Sequence, residues 1–237
     1  MKYLKSLSLG ALATLAVLAV VGASAASASA PKAEVTPPAT FPVPFTGHGG
    51  ATSLEATDGH QTACTSITIS GGTISGSTAE NVIITFHGCS AFSGFVSCNS
   101  SGQPSGTVVT TPLHAILVYL ETGTNKKGLL LKPMVGTHIM TLNCGGTSIA
   151  VHGEVLAELV EKTETEYTLH FRRLTNRHPS PALYLNPTGC GHVSTTEALK
   201  ATGTGGFTPF ATSPAGLEGT ATITLSAQEK LTGAGCS

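Results

Sequence analysis

The chain has 237 residues, of which 41% are hydrophobic, 11% charged and 5% aromatic, with no Trp and a formal net charge of −1. Ordinary soluble domains carry about 25% charged residues, so this composition excludes a chain disordered by charge, which needs low hydrophobicity and high net charge together. It also excludes a basic nucleic-acid binder, because neutralising phosphates takes clustered Lys and Arg.

Lys2 and Lys5 make a basic end, Leu7 to Val21 an apolar run, and Gly22 to Ala30 a small-residue stretch. That order is the pattern of a secretory signal peptide. The apolar run is about 15 residues, shorter than the roughly 20 that cross a bilayer as a helix. Ala23-Ser24-Ala25 and Ala26-Ser27-Ala28 both fit a small-x-small cleavage site, so residues 1–28 are read as a signal peptide and the exported chain begins near Ala26 or Ser29. No transmembrane segment is expected in that mature chain. Removing Lys2 and Lys5 leaves 10 basic against 13 acidic residues, a mild charge that selects no partner.

Pro31, Pro37, Pro38, Pro42 and Pro44 follow within fourteen residues. Residues 29–46 are therefore read as an extended, poorly packed leader. Beyond it Thr, Val and Ile dominate and Gly recurs, which is strand chemistry punctuated by turns. Ser53 to Thr57 and His60 to Ser70 flank Asp58-Gly59, a dipeptide suited to a tight hairpin turn. Asn81 to Gly88 alternates with Val82, Ile84 and Phe86 inward. Thr107 to Glu121, Gly128 to Lys132 and Thr137 to Cys144 are further strands, although Leu113 to Leu120 is apolar on both faces and fits a short buried helix as well. The clearest strand is Ser148 to Val160, with Ile149, Val151, Val155, Ala157 and Leu159 on the core side. Tyr167, Leu169 and Phe171 alternate with polar residues after the turn at Glu161 to Glu164, predicting an antiparallel hairpin. Ser194 to Thr202 and Gly219 to Ala227 complete the set. Many short strands predict an all-β antiparallel β-sandwich or open barrel, with residues 47–237 as one domain. Cys64 to Gly71 and Cys144 to Gly153 share a Thr-Ser-Ile pattern, which suggests duplication around 60–90 and 140–172.

Cys64, Cys89, Cys98, Cys144, Cys190 and Cys236 are an even set in a chain read as exported, hence disulfide candidates, and six cysteines allow 15 connectivities. The preferred set joins Cys89 to Cys98, Cys64 to Cys144 and Cys190 to Cys236. Chain-entropy arithmetic gives about 2.7 kcal/mol for the first link and about 4.5 kcal/mol for the second.

Leu54-Glu55, Cys64-Thr65-Ser66, Thr85-Phe86-His87-Gly88-Cys89, Cys98, Leu131-Lys132-Pro133 and Cys144-Gly145-Gly146 occur in that order behind the apparent signal peptide. Over roughly residues 50–172 this resembles a group of uncharacterised exported proteins of soil actinobacteria. The resemblance implies a disulfide-containing β-protein and carries no activity, cofactor or catalytic residue.

Motifs for chemistry are few. Asp58 is the single Asp and belongs to the expected turn, and no G-x-S-x-G elbow, P-loop or dinucleotide fingerprint occurs. Glu154 and Glu158, four apart on a strand, are roughly 13 Å apart, too far for a glycosidase pair at 5 to 10 Å. The scarcity of aromatic residues also argues against a sugar platform. Asn99-Ser100-Ser101 has a glycosylation pattern and is read as coincidence.

Nine His residues are the most suggestive feature. If the hairpin sets Glu154 opposite Arg172, then His152, Glu154, His170 and Arg172 share one exposed patch. His152, Glu154 and His170 are thus the metal candidates, against the plainer reading of a cross-strand ion pair beside solvated imidazoles. Cys190-Gly191-His192 with His178 is a second arrangement of metal-ligand type, outweighed by the disulfide reading. No catalytic residue and no cofactor is assigned. The expectation is a secreted or cell-surface, non-enzymatic structural or binding protein whose partner is a cell-wall or extracellular polymer. Loops such as Ser90 to Gly106 would present its recognition surface. The alternative is a secreted hydrolase or metal-binding protein using His and Glu on a strand face.

Overall fold

The computed structural model describes residues 32–35, 39–56, 59–120, 126–171, 183–185, 192–194, 199–204 and 210–232; the expected signal peptide, Cys190 and Cys236 lie outside them. Every regular element among these residues is a strand. In chain order they are β1 (Lys32–Val35), β2 (Val43–Ala56), β3 (Gln61–Cys64), β4 (Ser66–Ser75), β5 (Thr78–His87), β6 (Ser90–Ala91), β7 (Val96–Asn99), β8 (Val108–Val109), β9 (Leu113–Tyr119) and β10 (Lys127–Pro133). They continue with β11 (His138–Cys144), β12 (Thr147–His152), β13 (Val155–Thr163), β14 (Glu166–Phe171), β15 (Leu183–Leu185), β16 (His192–Ser194), β17 (Lys200–Thr204), β18 (Phe210–Leu225) and β19 (Glu229–Thr232).

The strands close an antiparallel barrel. Its ladders trace two circuits that share β2 and β18. One runs β2–β4–β5–β9–β10–β13–β14–β18 and back to β2. The other runs β2–β3–β6–β7–β11–β12–β17–β18 and back to β2. The division falls within the two long strands: Val43 to Gly49 of β2 pairs with β4, whereas Thr52 to Glu55 pairs with β3. Likewise β18 meets β17 through Phe210 to Pro214 and β14 through Gly219 to Thr224. The expected sandwich or open barrel is thus corrected to a closed barrel. Closure comes from β5 pairing with β9 and β18 with β2, contacts between distant residues that local alternation does not encode. Each long strand of the barrel is thereby paired on both sides among the described residues.

Alternation puts one face of each strand in the core. In β14, Tyr167, Leu169 and Phe171 are about 2% exposed while Glu166, Thr168 and His170 face outward. In β5 the inward set is Val82, Ile84 and Phe86, as expected. Fully burying side chains of this size stabilises by about 1.5–3 kcal/mol each. The outer faces of β4 and β18 carry Ser66, Thr68 and Ser70, and Glu218, Thr220 and Thr222. An apolar interior with a polar exterior is the reverse of a membrane-spanning barrel, and no helix of the described residues is long and apolar enough to cross a membrane.

Several expectations change. Ser148 to Val160 is two strands, because the backbone turns at Gly153, φ 102°, carrying the chain from β12 in the second circuit to β13 in the first. The residues expected to be a poorly packed leader contain Val43 and Phe45, 2% and 4% exposed on the inner face of β2, and Lys32 to Val35 pair with β19. Leu113 to Tyr119 is a strand; Val118 and Leu130 are buried on the outer side of β9 and β10, which explains the apolar residues on both faces. The suspected duplication has no matching topology: β11 and β12 form a hairpin, while β3 and β4 each pair with β2. Asp58 lies outside the described residues, but Gly59 N–H donates to the Ala56 carbonyl and Ala56 N–H to the His60 carbonyl, as a hairpin turn there requires.

Candidate functional site

The inner faces of the second circuit leave space at its outer end. A cavity of about 330 Å³ opens between the β2–β3, β6–β7 and β11–β12 turns. Leu54, Ala56, Ala91, Ile149 and Ala201 supply its apolar wall, with Thr62 and Thr147 among them. Phe92, Ser93, His60 and Gln61 stand at the rim. Thr62 and Thr147 are 4% exposed, and both belong to the inward-facing sets of β3 and β12. The volume is at the low end for small-ligand sites, and the mouth of a barrel is a usual place for one. No carboxylate, ammonium or guanidinium lines the cavity among the described residues.

The rim hairpin is held at its base by covalent bonds. Cys89 and Cys98 precede β6 and sit within β7, and Cys98 N–H donates to the Cys89 carbonyl at 2.9 Å. The two cysteines are not joined to each other: the bridges are Cys64–Cys89 and Cys98–Cys144, with Cα separations of 4.0 and 4.3 Å. This corrects the expected Cys89–Cys98 and Cys64–Cys144 pairing. The reason is the non-local ladder of β7 with β11, which sets Cys98 directly opposite Cys144. The loops closed, 25 and 46 residues in sequence separation, give about 3.5 and about 4.0 kcal/mol by chain entropy.

Between these anchors the chain turns through Phe92, Ser93 and Gly94 with φ of 52°, 58° and 94°. Left-handed backbone at a bulky side chain is uncommon and costs on the order of 1–3 kcal/mol per residue, strain that concentrates at ligand clamps. The turn leaves Phe92 42% and Phe95 88% exposed. The expected recognition loop, Ser90 to Gly106, is the segment that supplies this rim. Its aromatic pair was not singled out from the sequence, although two Phe residues in a Ser/Gly stretch between cysteines are a signal for it; Thr62 and Thr147 carry no such signal.

The metal candidates do not converge. His152 pairs in register with His138, their rings edge-to-face with centroids 5.1 Å apart. His138 also lies 2.9 Å from Thr141 Oγ1 through Nε2. Burial, and then the neighbouring His152, lower the His138 pKa. His170 lies in the first circuit opposite Glu158, so Glu158 and not Glu154 faces it across the hairpin. Glu154 stands at the corner between β12 and β13, and Arg172 lies outside the described residues, as does His178. No group of three or more His, Cys, Asp or Glu side chains suited to a metal occurs among the described residues. Asn99 of the sequon pattern donates its amide to the carbonyls of Ser100 and Gln103.

Toward the Val43 end of β2, β19 packs on the barrel through Glu229 and Leu231, and β1 pairs with β19. Glu229 of β19 is 1% exposed and borders an apolar void of about 30 Å³ lined by Phe45, Leu117, Leu129, Leu159 and Ile223. Neither carboxyl oxygen has a hydrogen-bond partner among the described residues, and burial raises its pKa from 4.5 to about 7. Its backbone is better served: Tyr167 Oη donates to the Glu229 carbonyl at 2.8 Å, and Glu229 N–H donates to the Glu164 carbonyl.

No protein-family model matches the chain, and no curated protein and no solved structure matches it.

Proposed function

We propose that the protein is an exported, non-enzymatic binding module that takes a small group, or the end of an extracellular or cell-wall polymer, into the barrel mouth. The observation that carries this reading is the 330 Å³ cavity with its mixed lining and its aromatic rim. The basic-apolar-small order of residues 1–30 supports export, and two disulfides are consistent with an oxidising compartment. The resemblance to exported actinobacterial proteins over residues 50–172 agrees with the same reading. Hydrolysis or metal chemistry through His152, Glu154 and His170 has less support, because His152 meets His138 while His170 stands in the other circuit opposite Glu158.

The test is co-sedimentation of the purified, oxidised chain with cell-wall and polysaccharide preparations over a concentration series, alongside Ser93→Trp, which sets a large ring at the rim. Saturable retention of the wild type that Ser93→Trp loses is the expected result. Equal retention of both proteins, or none with any preparation, overturns the reading.

A further inference from the structure

The chemistry of the barrel mouth narrows the class of ligand, on the premise that the mouth is the binding site. We propose that the group it takes is a neutral carbohydrate unit, with one face of a sugar ring stacked on Phe92 and its hydroxyls exchanging hydrogen bonds with Thr62, Ser93 and Thr147.

The chain holds eight Phe residues and no Trp, and two of those Phe are kept in solvent on a four-residue turn. Leaving aromatic rings in water at a strained turn brings no stability to the fold, which could form that turn more easily with polar residues. Both disulfides in the described residues converge on the base of this one hairpin, through Cys89 and Cys98. Such anchoring orients Phe92 before any ligand arrives, so that little entropy is lost on binding. A sugar ring suits the resulting surface. Its C–H face is apolar enough to lie on a phenyl ring, and its rim of hydroxyls both donates and accepts hydrogen bonds. Thr and Ser hydroxyls have the same double capacity. A wholly apolar ligand would cover the exposed Ser93 hydroxyl without replacing the hydrogen bonds it makes to water. The described lining has no charged side chain to neutralise an acidic or cationic sugar.

Composition pointed away from a sugar platform because aromatic residues are few. Their placement reverses that inference, since a single unit at a barrel mouth needs one well-held ring and not a row of them.

The experiment uses the oxidised full chain carrying Phe92→Trp, whose indole is then the chain's single tryptophan and reports on the rim. Chitotriose, cellotriose and maltotriose are titrated as neutral probes, trigalacturonate as an acidic one and Nile red as an uncharged lipophile, with calorimetry on the wild type in parallel. A neutral trisaccharide is expected to give a saturable emission change with Phe92→Trp and saturable heat with the wild type, and Phe92→Ala to weaken the calorimetric affinity at least tenfold with an unchanged melting temperature. Should Phe92→Ala fail to fold, Thr62→Val is the second variant, with a severalfold weakening expected. Tighter binding of trigalacturonate, or undiminished binding by the variant that folds, overturns the proposal. Saturation by Nile red with none by any saccharide overturns the carbohydrate assignment and leaves the mouth as a binding site. Saturation by no probe overturns both.

Discussion

Replacing Glu229 with Gln should make the protein more stable at neutral pH and remove part of its dependence on pH. The Glu229 carboxyl is 1% exposed, without a hydrogen-bond partner among the described residues, and faces Phe45, Leu117 and Ile223 across a void. Its pKa rises from 4.5 in an open chain to about 7 in the fold because burial penalises the charged form. The folded state therefore holds a proton that the unfolded state has released between those two values. Stability from this group is complete below about pH 4.5, falls as pH rises, and is lost by about pH 7. At about 1.4 kcal/mol per pH unit the whole loss is about 3 kcal/mol, a large share of the 5–15 kcal/mol that holds a typical domain together. His138, whose pKa burial lowers, contributes in the opposite sense, so the informative quantity is the difference between wild type and Glu229→Gln. Urea unfolding followed by far-ultraviolet circular dichroism at pH 4, 5, 6, 7 and 8 measures it. The variant should gain on the wild type by about 3 kcal/mol between pH 4 and pH 8. A difference for Glu229→Gln that stays constant with pH would refute the argument that a neutral carboxyl is buried at this end of the barrel.

Non-reducing digestion and mass spectrometry should recover Cys64 linked to Cys89 and Cys98 linked to Cys144; a peptide joining Cys89 to Cys98 would contradict the β7–β11 ladder. Removing the second bridge as Cys98→Ser with Cys144→Ser should lower unfolding free energy by about 4 kcal/mol, read from urea midpoints. Gly49→Ala should destabilise by about 1–3 kcal/mol, because a Cβ there runs into the Thr220 carbonyl and the Ile67 side chain inside the barrel, and an unchanged melting temperature would show that β2 and β18 do not approach so closely. Proton NMR should find His138 titrating below the usual 6.5, with part of the depression relieved in His152→Ala; no change in that variant would remove His152 as a contributor.

Local periodicity made much of the scaffold legible. The alternation of Tyr167, Leu169 and Phe171 locates β14 within a residue, and that of Ile149 and Val151 locates β12. Where the reading failed, the missing information was non-local. The Ser148 to Val160 alternation runs through Gly153 in phase, so nothing in the pattern marks the point where the chain changes circuit. Pro42 and Pro44 argued for a spacer, yet Val43 and Phe45 between and beyond them point inward while the prolines face solvent, a use of Pro tolerated where the ring looks outward. The disulfide pairing depended on which strand stands beside β7, and the patch at His152 on a hairpin register that the turn length alone did not determine. Glu229 was the least legible of all, since one acidic residue among Lys, Gln and Thr reads as surface.

The long strands β2 and β18 have a consequence for how the molecule is made. Phe45 pairs with Leu225 and Ala56 with Ala215, so neither circuit can close until residues near the far end of the chain have arrived. A chain threaded through a narrow channel with its amino terminus leading would emerge with its last barrel strand still behind it. Contacts this distant make for slow folding, so such a chain would stay pliable until its last residues had passed. Closure by β18 would then be the final step of folding.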